Sequence, residues 1–124
     1  MGKIFSIFGA VYGMLGVILG AFGAHALAKM LTESNRLDTY HTAVKYQFIH
    51  ALLLILIGIL YRSNKTKSLK LSGITAILGV LIFSGSLYTI CFTGINVFGA
   101  VAPIGGSLLV ASWAFLTFHF YKNY

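Results

Sequence analysis

The sequence predicts an all-α integral membrane protein, a four-helix transmembrane bundle forming one domain over residues 1–124 with both termini cytoplasmic. Three observations carry this reading. First, the 124 residues are 58% hydrophobic and only 9% charged. Soluble chains are about a quarter charged, and a soluble unit this small cannot bury so much apolar side chain and still cover itself. Second, four apolar runs are long enough to cross a hydrocarbon core about 30 Å thick. Third, Lys and Arg divide unequally between alternate connections. The same composition excludes intrinsic disorder, and a lone Cys91 excludes a disulfide scaffold.

The first span runs over about 4–27, between Lys3 and Lys29, without a charged residue. Its apolar stretch is longer than the roughly 7–15 residues of a signal-peptide core, so Ala24-His25-Ala26 is read as part of an uncleaved helix rather than a cleavage site. The second span covers about 40–61 and becomes solidly apolar from Phe48. The third covers about 71–92, after the basic stretch Arg62, Lys65, Lys67, Lys70. The fourth covers about 103–121, with Pro103 suited to the first turn of a helix. Between them, residues 93–102 form an outer loop or a partly inserted segment.

Lys3, Arg62, Lys65, Lys67, Lys70 and Lys122 fall on one side, and Lys29, Arg36 and Lys45 on the other, with both acids, Glu33 and Asp38. The richer side is cytoplasmic by the positive-inside rule. Net charge of +7 is thus a topology signal with a lipid-headgroup component. No basic helix or aromatic motif supports a nucleic-acid partner. The expected location is the bacterial cytoplasmic membrane.

Gly9, Gly13, Gly16, Gly20 and Gly23 form a stripe along the first span with a mean period of 3.5 residues. Small residues let membrane helices approach closely, so the stripe is expected to pack against the second or fourth span, or to join copies of the chain in a homo-oligomer. Polar groups at membrane depth are the default candidates for function. At helical rise His50 lies about 15 Å below Tyr40, near the midplane, and Tyr46, Gln47 and His50 share one face while His41 points away. Ser84 is expected near their level, Ser86 and Tyr88 above it, and His25 toward the outer end of the first span. The expectation is one binding cluster of His25, Tyr46, Gln47, His50, Ser84, Ser86 and Tyr88 in the outer half of the bundle, between the first three spans. A structural reading stands beside it, in which these groups only hydrogen-bond helix to helix.

Pro103, Gly105 and Gly106 open the last span with bare backbone, suited either to an anionic or carbonyl group or to close approach to the glycine stripe of the first span. No catalytic residue, metal site or cofactor is assigned. His25 and His50 supply two imidazoles where a catalytic zinc takes three protein ligands. No acid lies within a span, so the carboxylate relay of proton-coupled transport is missing.

Taken together, Gly20-Ala21-Phe22-Gly23-Ala24-His25-Ala26-Leu27, Tyr46-Gln47 with His50-Ala51-Leu52, Phe83-Ser84-Gly85-Ser86-Leu87-Tyr88, and Pro103-Ile104-Gly105-Gly106 with Trp113 resemble the small membrane-protein family called domain of unknown function 423. The resemblance covers nearly the whole chain. It implies a four-helix integral membrane protein and brings with it no activity, substrate or cofactor. The expected function is non-enzymatic binding of a lipid, small apolar molecule or partner helix. The alternatives are a subunit of an oligomeric channel or transporter, and a metal- or quinone-handling enzyme using His25 and His50.

Overall fold

A computed structural model describes residues 1–124. The chain forms α1 (Gly2–Ala24), α2 (Ala28–Glu33), α3 (Leu37–Ser63), α4 (Lys67–Thr93), a 3-10 turn (Asn96–Ala100) and α5 (Ala102–Asn123). There are four candidate spans, α1, α3, α4 and the 3-10 turn continuing into α5. The helices run past the apolar stretches at several ends, because charged first and last turns such as Asp38 and Arg62 of α3 complement the helix dipole at the interface. Thr66 caps α4 by accepting a hydrogen bond from the Leu69 N–H at 3.3 Å. At its far end Gly94, at φ +71°, supplies the left-handed residue that terminates the helix. Residues 93–102 are a tight connection containing the 3-10 turn, and the loop after α1 carries the short α2.

The four long helices lie in the spatial order α1, α3, α4, α5, with α3 and α4 as the central pair. The α1 stripe faces α3. A methyl group at Gly9 would stand 2.7 Å from the Ala51 carbonyl oxygen, and one at Gly16 would stand 3.0 Å from the Phe48 ring. Gly23 leaves room for the ring of Tyr40, whose hydroxyl donates to the Leu19 carbonyl. Gly13 and Gly20 border the contact more loosely, since a methyl group at either would meet Ala51 or Val44 only at ordinary van der Waals distance. Gly2 continues the buried series one heptad earlier, a methyl there standing 3.0 Å from the Gly58 carbonyl oxygen. Phe5 and Tyr12, also buried, reach past α3 to α4, where Phe5 fills the space left by Gly73 and the Tyr12 hydroxyl donates to the Ile77 carbonyl at 2.8 Å.

The last helix approaches a different partner from the one expected. Gly105 packs its bare backbone against the main chain of Phe83 on α4, not against α1, and Gly79 of α4 accommodates Leu109 in return. Ser72 and Ser112 lock this pair. Each hydroxyl donates to the other residue's carbonyl at 2.7 Å, and the two Oγ atoms are 3.2 Å apart. In hydrocarbon such bonds replace no water and hold helices in register.

Candidate functional site

The polar residues singled out from the sequence do not converge in one pocket. They divide into two sets, one on each side of the α3–α4 contact.

The first set joins α1, α3 and α4. Gln47 is 3% exposed, and its side chain is satisfied at both ends: the amide donates to the Tyr12 carbonyl at 2.8 Å, and Oε1 accepts from the Tyr88 hydroxyl at 2.7 Å. Ser84 donates to the Ala43 carbonyl at 2.8 Å. Ser86 turns back onto its own helix at the Ile82 carbonyl, 2.5 Å away. Tyr12, Gln47, Ser84 and Tyr88 border a small crevice of about 180 Å³, yet the bonds just described leave them little capacity for a ligand. This set is a polar clasp between three helices.

The second set joins α3, α4 and α5. His50 stands midway along α3 and is 3% exposed. Its Nδ1 is 2.7 Å from the Tyr46 carbonyl oxygen one turn back, and its Nε2 is 3.0 Å from the indole Nε1 of Trp113 on α5. An indole nitrogen only donates, so Nε2 is the acceptor, Nδ1 carries the proton, and the ring is neutral. Both nitrogens are thereby occupied, which leaves neither free as a metal ligand in this arrangement. The two rings meet edge to face with centroids 6.0 Å apart, and the Tyr46 and Phe83 rings do the same at 4.9 Å.

These groups form the inner wall of a cleft of about 480 Å³ lined by Tyr46, His50, Phe83, Pro103, Gly106, Ser107, Leu109, Val110 and Trp113. From Pro103 to Trp113 it follows α5 for about 15 Å at helical rise, half the hydrocarbon thickness. Val110 is 69% exposed and Trp113 44% exposed, so the cleft opens on the outside of the bundle. A methyl group at Gly106 would reach the Phe83 ring at ordinary contact distance, so the glycine contributes a wall without a side chain. No charged residue lines it. Ser107 spends its hydroxyl on the Pro103 carbonyl at 2.9 Å.

Of the predicted residues, Tyr46, His50, Pro103 and Gly106 therefore meet at one cleft, and Gln47, Ser84 and Tyr88 meet elsewhere. His25 belongs to neither set. It ends α1 as an exposed residue, because the chain turns there into α2 and carries the side chain out of the bundle. Trp113 is the site residue that depth counting on the first three spans did not supply, since it comes from α5. Its signal was the presence of the chain's only tryptophan among the family motifs. No group of three or more His, Cys, Asp or Glu side chains is arranged to hold a metal ion.

Comparison with known proteins places this architecture. The model of the family described as "Protein of unknown function (DUF423)" matches residues 19–106, which contain the α1 glycines from Gly20 onward, Tyr46, His50, Phe83, Pro103 and Gly106. The chain belongs to the DUF423 family. Its similarity to the UPF0382 membrane protein of Staphylococcus haemolyticus is 40% identity over 120 residues, 97% of each chain. Against the UPF0382 membrane protein YwdK of Bacillus subtilis it is 38% over 112 residues, 90% of each. Against the UPF0382 inner membrane protein YgdD of Escherichia coli it is 32% over 110 residues, 89% of this chain and 83% of that one. No solved structure matches significantly. This DUF423 protein is thus an all-helical protein of the bacterial cell membrane, with relatives that share nearly its full length.

Proposed function

We propose that this protein is a non-enzymatic membrane protein that binds a lipid chain or small apolar molecule in the cleft between α3, α4 and α5. The observation that carries the reading is the cleft itself, about 480 Å³ with aromatic walls and no charge, built around the His50–Trp113 pair. Binding sites for small molecules are concave and mostly apolar, with a few placed polar groups. A sideways opening suits a ligand arriving through the bilayer. The paired rings fix the inner wall, and no hydrogen bond within the chain engages the Tyr46 hydroxyl, which borders the same cleft.

The test is native mass spectrometry of protein extracted gently with its own lipids, comparing the parent with Gly106→Leu and Ser107→Phe, both of which fill the cleft from α5. Gel filtration of each variant verifies assembly. Retention of a defined apolar molecule by the parent and by His41→Ala, and its loss from both cleft-filling variants, is the expected result. A parent that carries nothing defined, or variants that retain the molecule equally, would overturn the reading.

A further inference from the structure

We infer that the opposite end of the molecule, where α1 begins and α3 ends, is a binding site for a phosphate group. A cavity of about 380 Å³ there is lined by Met1, Gly2, Lys3, Tyr61, Arg62 and Lys65. Three of those six side chains are cationic and none is acidic. The chain's two acidic side chains, Glu33 and Asp38, lie at the other end of the bundle. Asp38 is in the first turn of α3 and Arg62 in its last, separated by about 36 Å at helical rise. No carboxylate side chain therefore neutralises the cations.

Packing anchors the Arg62 side of the cluster against α1, while the three cationic side chains themselves are exposed. Gly2 is buried against the last turns of α3, where a methyl group would meet the Gly58 carbonyl oxygen at 3.0 Å, the Tyr61 ring at 3.6 Å and the Arg62 Cγ at 3.6 Å. The stem of Arg62 and the backbone beside Lys3 are thus fixed against one another, which brings a guanidinium and an ammonium from two helices to one opening. Left alone the arrangement repels itself, and Lys3 adds to this by standing in the first turn of α1, where a cation opposes the helix dipole and no acid offsets it. An anion bound among the three groups turns repulsion into attraction. The guanidinium fork matches two oxygens of a phosphate, and the ammonium groups serve as point charges. The apolar stretch of α1 starts at Ile4 and that of α3 ends at Tyr61, so the cavity sits at the level where phospholipid phosphates lie, flanked by an interfacial tyrosine.

The same chemistry is offered by an anionic lipid headgroup and by free phosphate, and two probes separate them. Delipidated protein is offered phosphatidylglycerol or phosphatidylcholine and examined by native mass spectrometry. In parallel, line broadening of inorganic phosphate is followed by phosphorus NMR. The triple variant Lys3→Gln, Arg62→Gln, Lys65→Gln is compared with Lys67→Gln, Lys70→Gln, Lys122→Gln, which removes the same charge outside the cavity. Each basic residue near a membrane surface attracts anionic lipid to a similar degree, so the control variant measures that background. The expected result is that the cavity variant loses about tenfold more phosphatidylglycerol retention, or phosphate broadening, than the control. Loss confined to the lipid assigns a headgroup, and loss in the phosphate signal assigns the free anion. Equal losses in the two triple variants in both assays would overturn the site. Arg62→Lys keeps the charge and removes the fork, and an intermediate loss is expected from it if the triple variant does not assemble.

Discussion

Trp113 donates its indole N–H to Nε2 of His50 across the α3–α5 crevice at 3.0 Å, although the backbones of α3 and α5 come close almost nowhere. Because the chain has a single tryptophan, its fluorescence reports on this one contact. His50→Ala is expected to shift the emission maximum and to lower stability in detergent by about 1 kcal/mol, the scale of an interhelical hydrogen bond in a membrane protein. His41→Ala, at an exposed position of the same helix, should change neither. Identical emission spectra for His50→Ala and the parent would show that the contact does not hold in solution.

The glycines of α1 make a graded series. Gly9→Ala places a methyl 2.7 Å from a backbone oxygen of α3, which no side-chain rotation relieves, and a loss of about 1–3 kcal/mol is expected. Gly13→Ala meets only the Ala51 methyl at 4.0 Å and gains helix propensity of up to about 1 kcal/mol. Thermal unfolding of the two variants should therefore move in opposite directions.

Gln47 and Tyr88 test the polar clasp. Removing the amide in Gln47→Leu leaves the Tyr88 hydroxyl without its partner in apolar surroundings. Tyr88→Phe does the reverse. The double variant should cost less than the sum of the singles by about 0.5–1.5 kcal/mol. Strict additivity in the mutant cycle would show that the pair contributes nothing jointly.

Ser72 and Ser112 give a comparable pair between α4 and α5. Each donates to the other's carbonyl, so Ser72→Ala removes one bond and preserves the other. A cost near that of one interhelical hydrogen bond, about 0.6 kcal/mol, is expected for either single variant by chemical denaturation in detergent, with nearly twice that for the double.

The four spans were legible because length and apolarity are properties of a segment, and α1 shows the same for its packing face. The stripe of Gly9, Gly16 and Gly23 announces a close neighbour within the sequence itself. Which neighbour it meets is a property of two helices together, and so is the placement of α5. Gly105 and Gly106 announce close approach, but only the azimuths of α4 and α5 send Gly105 to Phe83 and not to α1. Depth along a helix was equally readable for His50, at the centre of α3. Its rotation relative to Gln47 was not resolved finely enough, and a step of three residues places these two on opposite sides of the α3–α4 contact. His25 illustrates a further limit, since a count by depth cannot show that the chain is already leaving the bundle at the α1 terminus.

Most of the side chains that tie one long helix to the next donate to main-chain carbonyls: Tyr12 to Ile77, Tyr40 to Leu19, Gln47 to Tyr12, Ser84 to Ala43. A carbonyl is present whatever residue carries it. In these four contacts the instruction for aligning two helices is therefore written on one helix alone, and the accepting position is free to change its side chain without erasing the bond. Two descendants of one ancestor can in this way drift far apart at Ile77, Leu19 or Ala43 and still assemble in the same register, provided that a few hydroxyls and one amide stay where they are.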